Sequence, residues 1–549
     1  MEERIQKAVG EFLAKAGAEG VTFVVERPTE AAHGDYATNA ALATAKSLGS
    51  NPRSLADSLA RYLTDELGDT VSHVSVAGPG FVNITLAREA VALAVAEADA
   101  QGDEWGKGNL NVNQRVMVEY TDPNPFKEMH IGHLMSNVIG ESLARLTENE
   151  GAEVVRANYQ GDVGPHVAKA LWGLRQAGII EPSTAKELGD AYAAGSRAYE
   201  ESEGAKAEID ALNVEIYKGT DAALREEWRK GRDVSLAAFE QIYKVLGTHF
   251  DYYFFESETA EPGTRLVKDG LNKGVFEESE GAVIYRGEKV GLHTLVFITS
   301  KGTPTYEAKD IGLAFLKEER VQTDRSIIVT AAEQIGHFKV VLAALDELAP
   351  LIAAKTTHVP HGFLRLTTGK MSSREGNVIT AAGLIEEIVA KASEKSADPL
   401  IAEQVAIGAI KYMVLRQSPG SDIIFDPEKS LSLEGDSGPY LQYALVRAKK
   451  ILAYSDNGEG GRSEPSAPYA IEGLILHYPE VVARAAKELA PNLLVTYLTE
   501  LAAAWNSFYA TEQILGSPEE AYKQRVARAF ANTMTNGLNL LGIPAPERM

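Results

Sequence analysis

The sequence predicts an α/β protein whose central domain is a Rossmann-type parallel sheet with a helical insertion, between an N-terminal α/β domain and a C-terminal α-helical bundle. Three observations lead to this prediction. An apolar run at Val116–Tyr120 precedes a polar loop and a helix start near His130, which is the order of a strand, a loop and a helix. Residues from about 168 to 248 are rich in alanine, glutamate and lysine, and residues 396–549 follow a helical pattern almost throughout.

Length and composition limit the class of protein. The chain has 549 residues, enough for several domains, and a net charge of −23, which argues against loose binding to nucleic acid. It contains no cysteine, so disulfides and thiolate metal sites are excluded. No apolar run approaches the roughly 18 residues of a membrane span, and the charged, amphipathic start of the chain is unlike a signal peptide. A cytoplasmic location is expected.

The N-terminal domain is expected to cover residues 1–108. A helix over about 2–16 and another over 52–67 show amphipathic spacing, and a strand is predicted at Val21–Glu26. Val71–Val76 and Phe81–Leu86 alternate apolar and polar residues around a Gly-Pro-Gly turn.

The central domain is expected to cover residues 109–395. Val154–Asn158 is predicted as its second strand, after the helix that starts near His133, and this order implies parallel strands with ligands at their carboxyl ends. Further strands are predicted at four places: Asp251–Phe255, Ala282–Tyr285, Leu295–Thr299 and Ser326–Thr330.

Two short motifs carry the chemistry. His130-Ile-Gly132-His133 stands at a helix start, where free N–H groups and the helix dipole favour a phosphate. Taken alone, this motif also fits a helix start with two surface histidines. The second motif is the glycine-bounded loop Gly369-Lys370-Met371-Ser372-Ser373-Arg374, which supplies two cations and two hydroxyls.

In this order, the HxGH and KMSS motifs resemble those of class I aminoacyl-tRNA synthetases, and their flanking sequences resemble the arginyl-tRNA synthetases. The matching segments span nearly the whole chain, namely HGDYATN at 33–39, AGPGFVN at 77–83, NPFKEMHIGH at 124–133, FDPEKSLSLEGDSGPYLQYA at 425–444 and the terminal NGLNLLGIPAPERM. The resemblance implies a ligase that uses ATP, with Mg²⁺ as part of the ATP complex, to join L-arginine to tRNA(Arg) through an arginyl-adenylate. It implies a monomer, and we predict no protein-bound metal and no membrane association.

The resemblance assigns His130, Gly132 and His133 to ATP, together with Lys370, Met371 and Ser372 of a mobile loop over the pyrophosphate. The usual KMSKS loop has a second lysine where this chain has Ser373, so one cation must be replaced. Lys127 matches a lysine that many arginyl-tRNA synthetases carry before the HxGH motif, and Arg374 is a further candidate. A solvent-facing loop lysine is the alternative interpretation of Lys127.

A pocket for arginine needs carboxylates placed for a planar guanidinium group, together with an aromatic face. Residues 306 and 310 lie one helical turn apart and therefore share a face. The residues that match the family's arginine contacts are Asn124 for the α-amino end and Glu256, Tyr306, Asp310 and Gln334 for the side chain. Glu258 is the alternative to Glu256, and a carboxylate favoured by the helix dipole is the alternative for Asp310.

The predicted tRNA contacts lie at both ends of the chain. Phe81 and Asn83 match positions that stack on and hydrogen-bond a splayed nucleotide, although a core phenylalanine and a solvent-facing asparagine are also possible there. In the C-terminal bundle, Arg447, Tyr509 and Met549 are the candidates for the anticodon side. The stripe of Trp505, Phe508 and Tyr509 has helical spacing, for which core packing is the more usual explanation.

Three other functions remain open at this point. The chain fits another class I aminoacyl-tRNA synthetase less well, because its acidic residues suit arginine. A small-molecule adenylating ligase with HxGH chemistry would have no need of the N-terminal domain or the helical C-terminal part. A catalytically inactive RNA-binding paralogue would not need intact His130, His133 and KMSS motifs.

Overall fold

The computed structural model describes residues 1–28, 30–366, 379–454, 463 and 465–549. Spatial proximity between backbone positions divides the chain into two compact units. The smaller unit contains residues 1–106, 444–482 and 497–536, and the larger contains 107–443, 483–496 and 537–549.

The N-terminal part of the smaller unit is a four-stranded antiparallel sheet packed against helices. Its strands are β1 (Val25–Glu26), β2 (Tyr36–Thr38), β3 (Val71–Ala77) and β4 (Phe81–Leu86), in the order β1-β2-β4-β3. Its helices are α1 (Glu2–Lys15), α2 (Ala40–Ala45), α3 (Pro52–Leu67) and α4 (Arg88–Gln101). The predicted helices and the β3–β4 hairpin are confirmed, while the strand expected from Val21 is limited to Val25–Glu26.

The larger unit is built on a five-stranded parallel sheet with the order β12-β11-β5-β6-β7. These strands are β5 (Arg115–Glu119), β6 (Glu153–Gln160), β7 (Tyr252–Phe255), β11 (Arg325–Ala331) and β12 (Thr356–His361). The predicted Rossmann-type sheet is therefore confirmed. Because β5 lies between β6 and β11, the strand order reverses beside it, which is where open α/β sheets bind ligands.

Apolar side chains cover both faces of this sheet. On one face, Val118 of β5 packs with Leu143 of helix α5 (Ile131–Asn149). On the other face, Met117 of β5 packs with Leu313 of helix α11 (Tyr306–Arg320). Burial on both faces explains why β5 is a continuous apolar run rather than an alternating strand.

Four helices fill the region predicted as an insertion: α6 (Pro165–Gln176), α7 (Ala185–Glu201), α8 (Glu203–Lys218) and α9 (Ala222–Leu246). Their shared core contains Leu171, Leu188 and Leu224, and also Phe126 from the loop after β5. Gly231 of α9 permits this contact, because a β-carbon there would lie 2.2 Å from the Phe126 ring. The insertion is therefore packed against the loop that precedes the HxGH motif.

Two predicted strands belong to a different sheet. A three-stranded antiparallel sheet is formed by β8 (Glu277–Ser279), β9 (Ala282–Tyr285) and β10 (Leu295–Ile298), in the order β10-β9-β8. The edge strand β12 was not predicted from the sequence. The remaining strands, β13 (Leu364–Leu366) and β14 (Ile423–Phe425), pair in parallel.

Helices form most of the rest of the chain. They are α10 (Glu256–Asn272), α12 (Ile335–Leu348), α13 (Pro350–Ala354), α14 (Ala381–Ser393), α15 (Pro399–Leu415), α16 (Pro427–Ser430), α17 (Gly438–Ala453), α18 (Ala470–Lys487), α19 (Pro491–Thr511) and α20 (Glu520–Leu540). The predicted helical C-terminal part is confirmed. No helix within the described ranges is long and apolar enough to span a membrane.

Candidate active site

The loop between β5 and α5 has a strained backbone. Thr121, Asp122 and Phe126 have φ angles of 80°, 47° and 68°, in the left-handed region that side chains other than glycine rarely adopt. Asp122 is held there because its Oδ1 accepts a hydrogen bond of 2.8 Å from the Tyr159 amide at the end of β6. Strained residues of this kind cluster at functional sites when the surrounding structure enforces them.

The two histidines of the HxGH motif are fixed by backbone hydrogen bonds at the start of α5. His130 is the N-cap residue, and its Nδ1 accepts from the Gly132 amide at 3.1 Å. The His130 amide in turn donates to Nδ1 of His133 at 3.2 Å. Since each Nδ1 is an acceptor, each neutral imidazole carries its hydrogen on Nε2 and has that N–H available as a donor.

The same two imidazole rings are stacked, with centroids 3.7 Å apart and planes 18° apart. Burial lowers the pKa of His130, and the charge of Lys127 lowers it further. Burial also lowers the pKa of His133 well below its ordinary value, and His130 and Lys127 add to that effect. Both rings are therefore neutral near pH 7, which allows them to stack without charge repulsion.

The chain segment that follows the predicted KMSS loop pairs with this helix start. The Ile131 amide donates to the Ile379 carbonyl at 3.1 Å, and the Ala381 amide donates to the Met129 carbonyl at 2.7 Å. Lys370, Met371 and Ser372, with Ser373 and Arg374, lie outside the described residues. The described segment after them nevertheless contacts the residues that flank His130.

The five residues predicted to bind arginine line one cavity of about 290 Å³ between the carboxyl ends of the strands and helices α11 and α12. They come from four separated parts of the chain: Asn124 from the loop after β5, Glu256 from the start of α10, Tyr306 and Asp310 from α11, and Gln334 from the turn before α12. The cavity continues along the sheet to the Glu119–Lys317 ion pair, whose charged atoms lie 2.5 Å apart.

Glu256 is 5% exposed and faces the cavity, whereas Glu258 turns away to bind Arg320 and the Phe255 amide. Burial raises the pKa of Glu256 to about 6, although Lys309 counteracts part of that rise. Gly161 is required at this place, because a β-carbon there would lie 2.3 Å from Asn124 Oδ1 and 3.1 Å from Glu256 Oε1. The backbone of Gly161 thus lies directly against two of the residues predicted to bind arginine.

Asp310 forms a 2.5 Å contact with Nε2 of His337, and Nδ1 of the same ring lies 3.4 Å from Glu307. Burial alone would lower the pKa of His337, but its hydrogen bonds to Asp310 and Glu307 raise the pKa to about 10. His337 is therefore a cation near pH 7. Tyr306 is 61% exposed at the mouth of the same region.

Two functional candidates, Lys309 and His337, were missed from the sequence. Lys309 donates to Glu256 at 2.5 Å and to the Tyr217 hydroxyl at 3.1 Å. His337 binds Asp310. The signals were their positions, because Lys309 adjoins Asp310 and His337 follows Gln334 by three residues, but burial of these cations is not visible in a single sequence.

Lys127 is half-buried, and its ammonium group lies 4.5 Å from the centre of the Tyr192 ring in the insertion. It is therefore not simply a solvent-facing loop lysine. Its charge acts on His130, His133 and His166, as the lowered pKa values of all three record.

The residues predicted to contact tRNA have varied surroundings. Phe81 is 42% exposed and Asn83 is 9% exposed, which is the reverse of a core phenylalanine beside a solvent-facing asparagine. The Arg447 guanidinium lies 4.1 Å above the ring of the half-buried Tyr509 and donates to Asn506 at 3.1 Å. Met549 is 40% exposed.

The rest of the aromatic stripe is part of the core, as its helical spacing indicated. Trp505 is fully buried and stacks on Phe530 with centroids 4.6 Å apart, and Phe508 is 5% exposed. Among the residues that the structure describes, no group of three or more histidine or carboxylate side chains has the arrangement of a metal site.

Comparison with family models covers most of the chain. A model described as "tRNA synthetases class I (R), catalytic domain" matches residues 95–427. A model described as "Arginyl tRNA synthetase N terminal domain" matches residues 2–86, and the "DALR anticodon binding domain" matches residues 441–549.

Individual proteins agree with these models. The chain is 32% identical to the arginine–tRNA ligase of Chromobacterium violaceum, over 100% of this chain and 99% of that protein. It is 31% identical to the arginine–tRNA ligase of Fusobacterium nucleatum, over 94% of this chain and 93% of that one. The solved arginyl-tRNA synthetase of Thermus thermophilus superposes with a TM-score of 0.85 at 27% identity and covers 100% of both chains.

A parallel sheet that leads from its first strand into an HxGH helix start fits a class I aminoacyl-tRNA synthetase, and the match to the catalytic-domain model shows that the chain belongs to this class. Within that class, the chain belongs to the arginyl-tRNA synthetase family.

Proposed function

We propose how the described residues divide the work of an arginine–tRNA ligase. The protein attaches L-arginine to tRNA in two steps: ATP and arginine form arginyl-adenylate and pyrophosphate, and the arginyl group is then transferred to the 3′-terminal adenosine of the tRNA. The site assignment rests on one observation. A single cavity is lined by all five residues predicted to bind arginine, namely Asn124, Glu256, Tyr306, Asp310 and Gln334.

We assign this cavity to arginine. Glu256 and Asp310 provide two carboxylates for the guanidinium group, Tyr306 provides an aromatic face, and Gln334 provides a polar amide. Asn124 holds the α-amino end, close to the helix start of the HxGH motif. A hydrophobic amino acid would make no use of the Glu256 and Asp310 carboxylates that line the cavity, which favours arginine over apolar substrates.

We assign the start of α5 to ATP. The Nε2–H groups of His130 and His133 are available to oxygens of the triphosphate, and Gly132 allows close approach. Negative charge grows on these oxygens as the arginine carboxylate attacks the α-phosphorus, so fixed donors stabilise the transition state more than the ground state. Lys127, Lys370, Met371 and Ser372 complete the proposed ATP site, and Mg²⁺ accompanies ATP as part of the substrate complex.

We assign tRNA binding to both terminal domains. Phe81 presents an exposed aromatic face for an unstacked base, with Asn83 on the same strand. Arg447 and Tyr509 form a cation–π pair suited to a base or a phosphate, and Met549 is proposed as a further contact on the anticodon side. The proposed domain limits are residues 1–108, 109–395 and 396–549. We also propose that the protein is a monomer and that it acts in the cytoplasm.

ATP–pyrophosphate exchange, measured with and without tRNA, tests the proposal. Exchange that depends on arginine and falls in Asp310→Asn and His133→Ala variants supports both assignments. Exchange driven equally well by another amino acid would overturn the arginine assignment. Charging of tRNA(Arg) by the same preparation distinguishes the ligase from a small-molecule adenylating enzyme and from an inactive paralogue.

A further inference from the structure

Lys309 contacts two of the groups assigned to the arginine side chain. Its side chain is almost fully buried, its Nζ lies 2.5 Å from Glu256 Oε2, and the same Nζ lies 5.1 Å from the centre of the Tyr306 ring. A guanidinium group binds favourably to a carboxylate and to an aromatic face. A lysine of the protein itself thus occupies the surroundings proposed for the substrate cation.

The charged groups around this part of the cavity have a net negative charge that one more cation would balance. Glu256, Glu307 and Asp310 contribute three carboxylates, and Lys309 and His337 pair with them as two cations. One negative charge is left unbalanced among these five groups. One guanidinium group would balance it, so substrate and Lys309 need not exclude each other from the cavity, but they compete for Glu256.

Resting on the arginine assignment above, we propose that Lys309 is a specificity-determining residue that competes with the substrate cation for Glu256 and thereby excludes lysine. A free lysine would replace one ammonium group by another and would gain no new kind of contact. It would also lose translational and rotational freedom, whereas Lys309 is already tethered beside Glu256.

Arginine overcomes this competition because its guanidinium group has five N–H donors in a planar fork. The fork engages Glu256 and Asp310 together, which a single ammonium group does less well. Discrimination then comes from a built-in competitor as well as from attractive contacts, in keeping with specificity as a difference between two affinities.

Tyr217 already accepts a hydrogen bond from Lys309 and remains its partner when the substrate takes Glu256. Its hydroxyl lies 3.1 Å from Lys309 Nζ, and its ring centre lies 5.6 Å away. Tyr217 belongs to α8 of the insertion, so the insertion contributes to the specificity of the arginine pocket through this contact.

The test compares arginine and lysine binding to the full-length Lys309→Met variant. Calorimetry gives the dissociation constant of arginine, and displacement of arginine gives that of lysine. We expect lysine to bind at least about tenfold more tightly, corresponding to roughly 1.4 kcal/mol, and arginine to improve by less. Equal weakening of both ligands would overturn the proposal, because it would make Lys309 a support that positions Glu256.

Lys523→Met is the matched control. Lys523 is also a buried, ion-paired lysine, but its partner is Glu512 and it is not among the residues that line the cavity. The ratio of lysine to arginine dissociation constants is expected to stay unchanged in this variant. An equal change in both lysine variants would overturn the proposal, because it would trace selectivity to total charge rather than to the Lys309 contact.

Tyr217→Phe provides a second test that keeps Lys309 in place. Without the Tyr217 hydroxyl, Lys309 still has Glu256 in the free protein but has lost both partners once the substrate takes Glu256. Arginine should therefore bind a few-fold more weakly, opposite to the effect of Lys309→Met. If thermal unfolding shows that Lys309→Met is misfolded, this variant decides, and unchanged arginine binding would overturn the proposal. Arginine binding unaffected by Asp310→Asn would instead refute the pocket assignment itself.

Discussion

Histidines in two parts of the catalytic domain differ in charge, because one group is neutral and the other is positive. At the start of α5, His130 and His133 stack 3.7 Å apart, and burial and Lys127 lower both pKa values. On α12, His337 lies between Asp310 and Glu307, and its pKa rises to about 10. The same residue type therefore provides neutral N–H donors at the proposed ATP site and a fixed counter-charge at the proposed arginine site.

This difference in charge suits the two sites to different tasks. In the proposed ATP site, neutral imidazoles would donate to phosphate oxygens whose charge grows during the reaction, so their effect is expected on the chemical step. The charged His337 contacts Asp310 and Glu307 beside the proposed arginine site. A substrate cation there is already charged in the ground state, so effects at this site are expected on binding. The following predictions test this separation.

The largest effect is expected from His133→Ala. Loss of one fixed donor should reduce arginine activation by about 100-fold. The dissociation constant of arginine should remain close to that of the unmodified protein, because His133 does not line the cavity. Pyrophosphate exchange and calorimetry give the two quantities.

His249→Ala is the matched control for this variant, since His249 is an exposed histidine of the same unit. It should leave both quantities unchanged. Parallel losses of activation and arginine affinity in His133→Ala would contradict the separation of tasks.

The next largest effect is expected from Asp310→Asn. This change removes a charge that faces both the cavity and His337, and it should raise the KM for arginine about 30-fold. The effect on kcat should be much smaller, because a ground-state contact is lost. Glu319→Gln, at an exposed position of the same helix, is the control, and a KM equal in the two variants would show that the pocket is misplaced.

A third prediction concerns stability against pH. Because the pKa of His337 is higher in the folded state than the ordinary value of about 6.5, the folded protein binds this proton more tightly. The resulting stabilisation is complete below the ordinary pKa and is lost as the pH rises from there to about 10. His337→Gln should remove this loss, which is at most about 1.4 kcal/mol for each pH unit of that window.

Denaturant unfolding at a series of pH values measures this dependence, with His249→Gln as the control. The stacked histidines should behave in the opposite way. Their lowered pKa values give stability that is present above the ordinary histidine pKa and is lost as the pH falls below it. An alkaline loss that persists unchanged in His337→Gln would mean that His337 is not the charged partner of Asp310.

Part of this arrangement was predictable from sequence because it lies in local patterns. The strand, loop and helix around the HxGH motif follow from periodicity, and the family resemblance supplied the five residues that line the cavity. Strand β12 was missed because Thr356–His361 is polar and contains a proline, which a sheet tolerates at an edge. Strands β9 and β10 were predicted, but periodicity does not reveal which strand pairs with which.

The charge state of the site was not predictable for a related reason. From the sequence alone, a lysine or histidine beside an acidic residue cannot be distinguished from an ordinary surface group, because its surroundings are known only from the fold. Lys309 and His337 became part of the site only when α11 and α12 were found to line the same cavity. Likewise, only the fold showed that Phe81 is exposed.

The smallest effect is expected from Lys127→Met, which tests what keeps the stacked histidines neutral. Burial is the larger cause of their lowered pKa values, and the charge of Lys127 is the smaller one. Removing that charge should therefore raise both pKa values modestly without restoring the ordinary value, as NMR titration of labelled histidines would record. A full return to the ordinary value would show that charge, rather than burial, distinguishes the ATP-site histidines from His337, and the comparison would then rest on electrostatics alone.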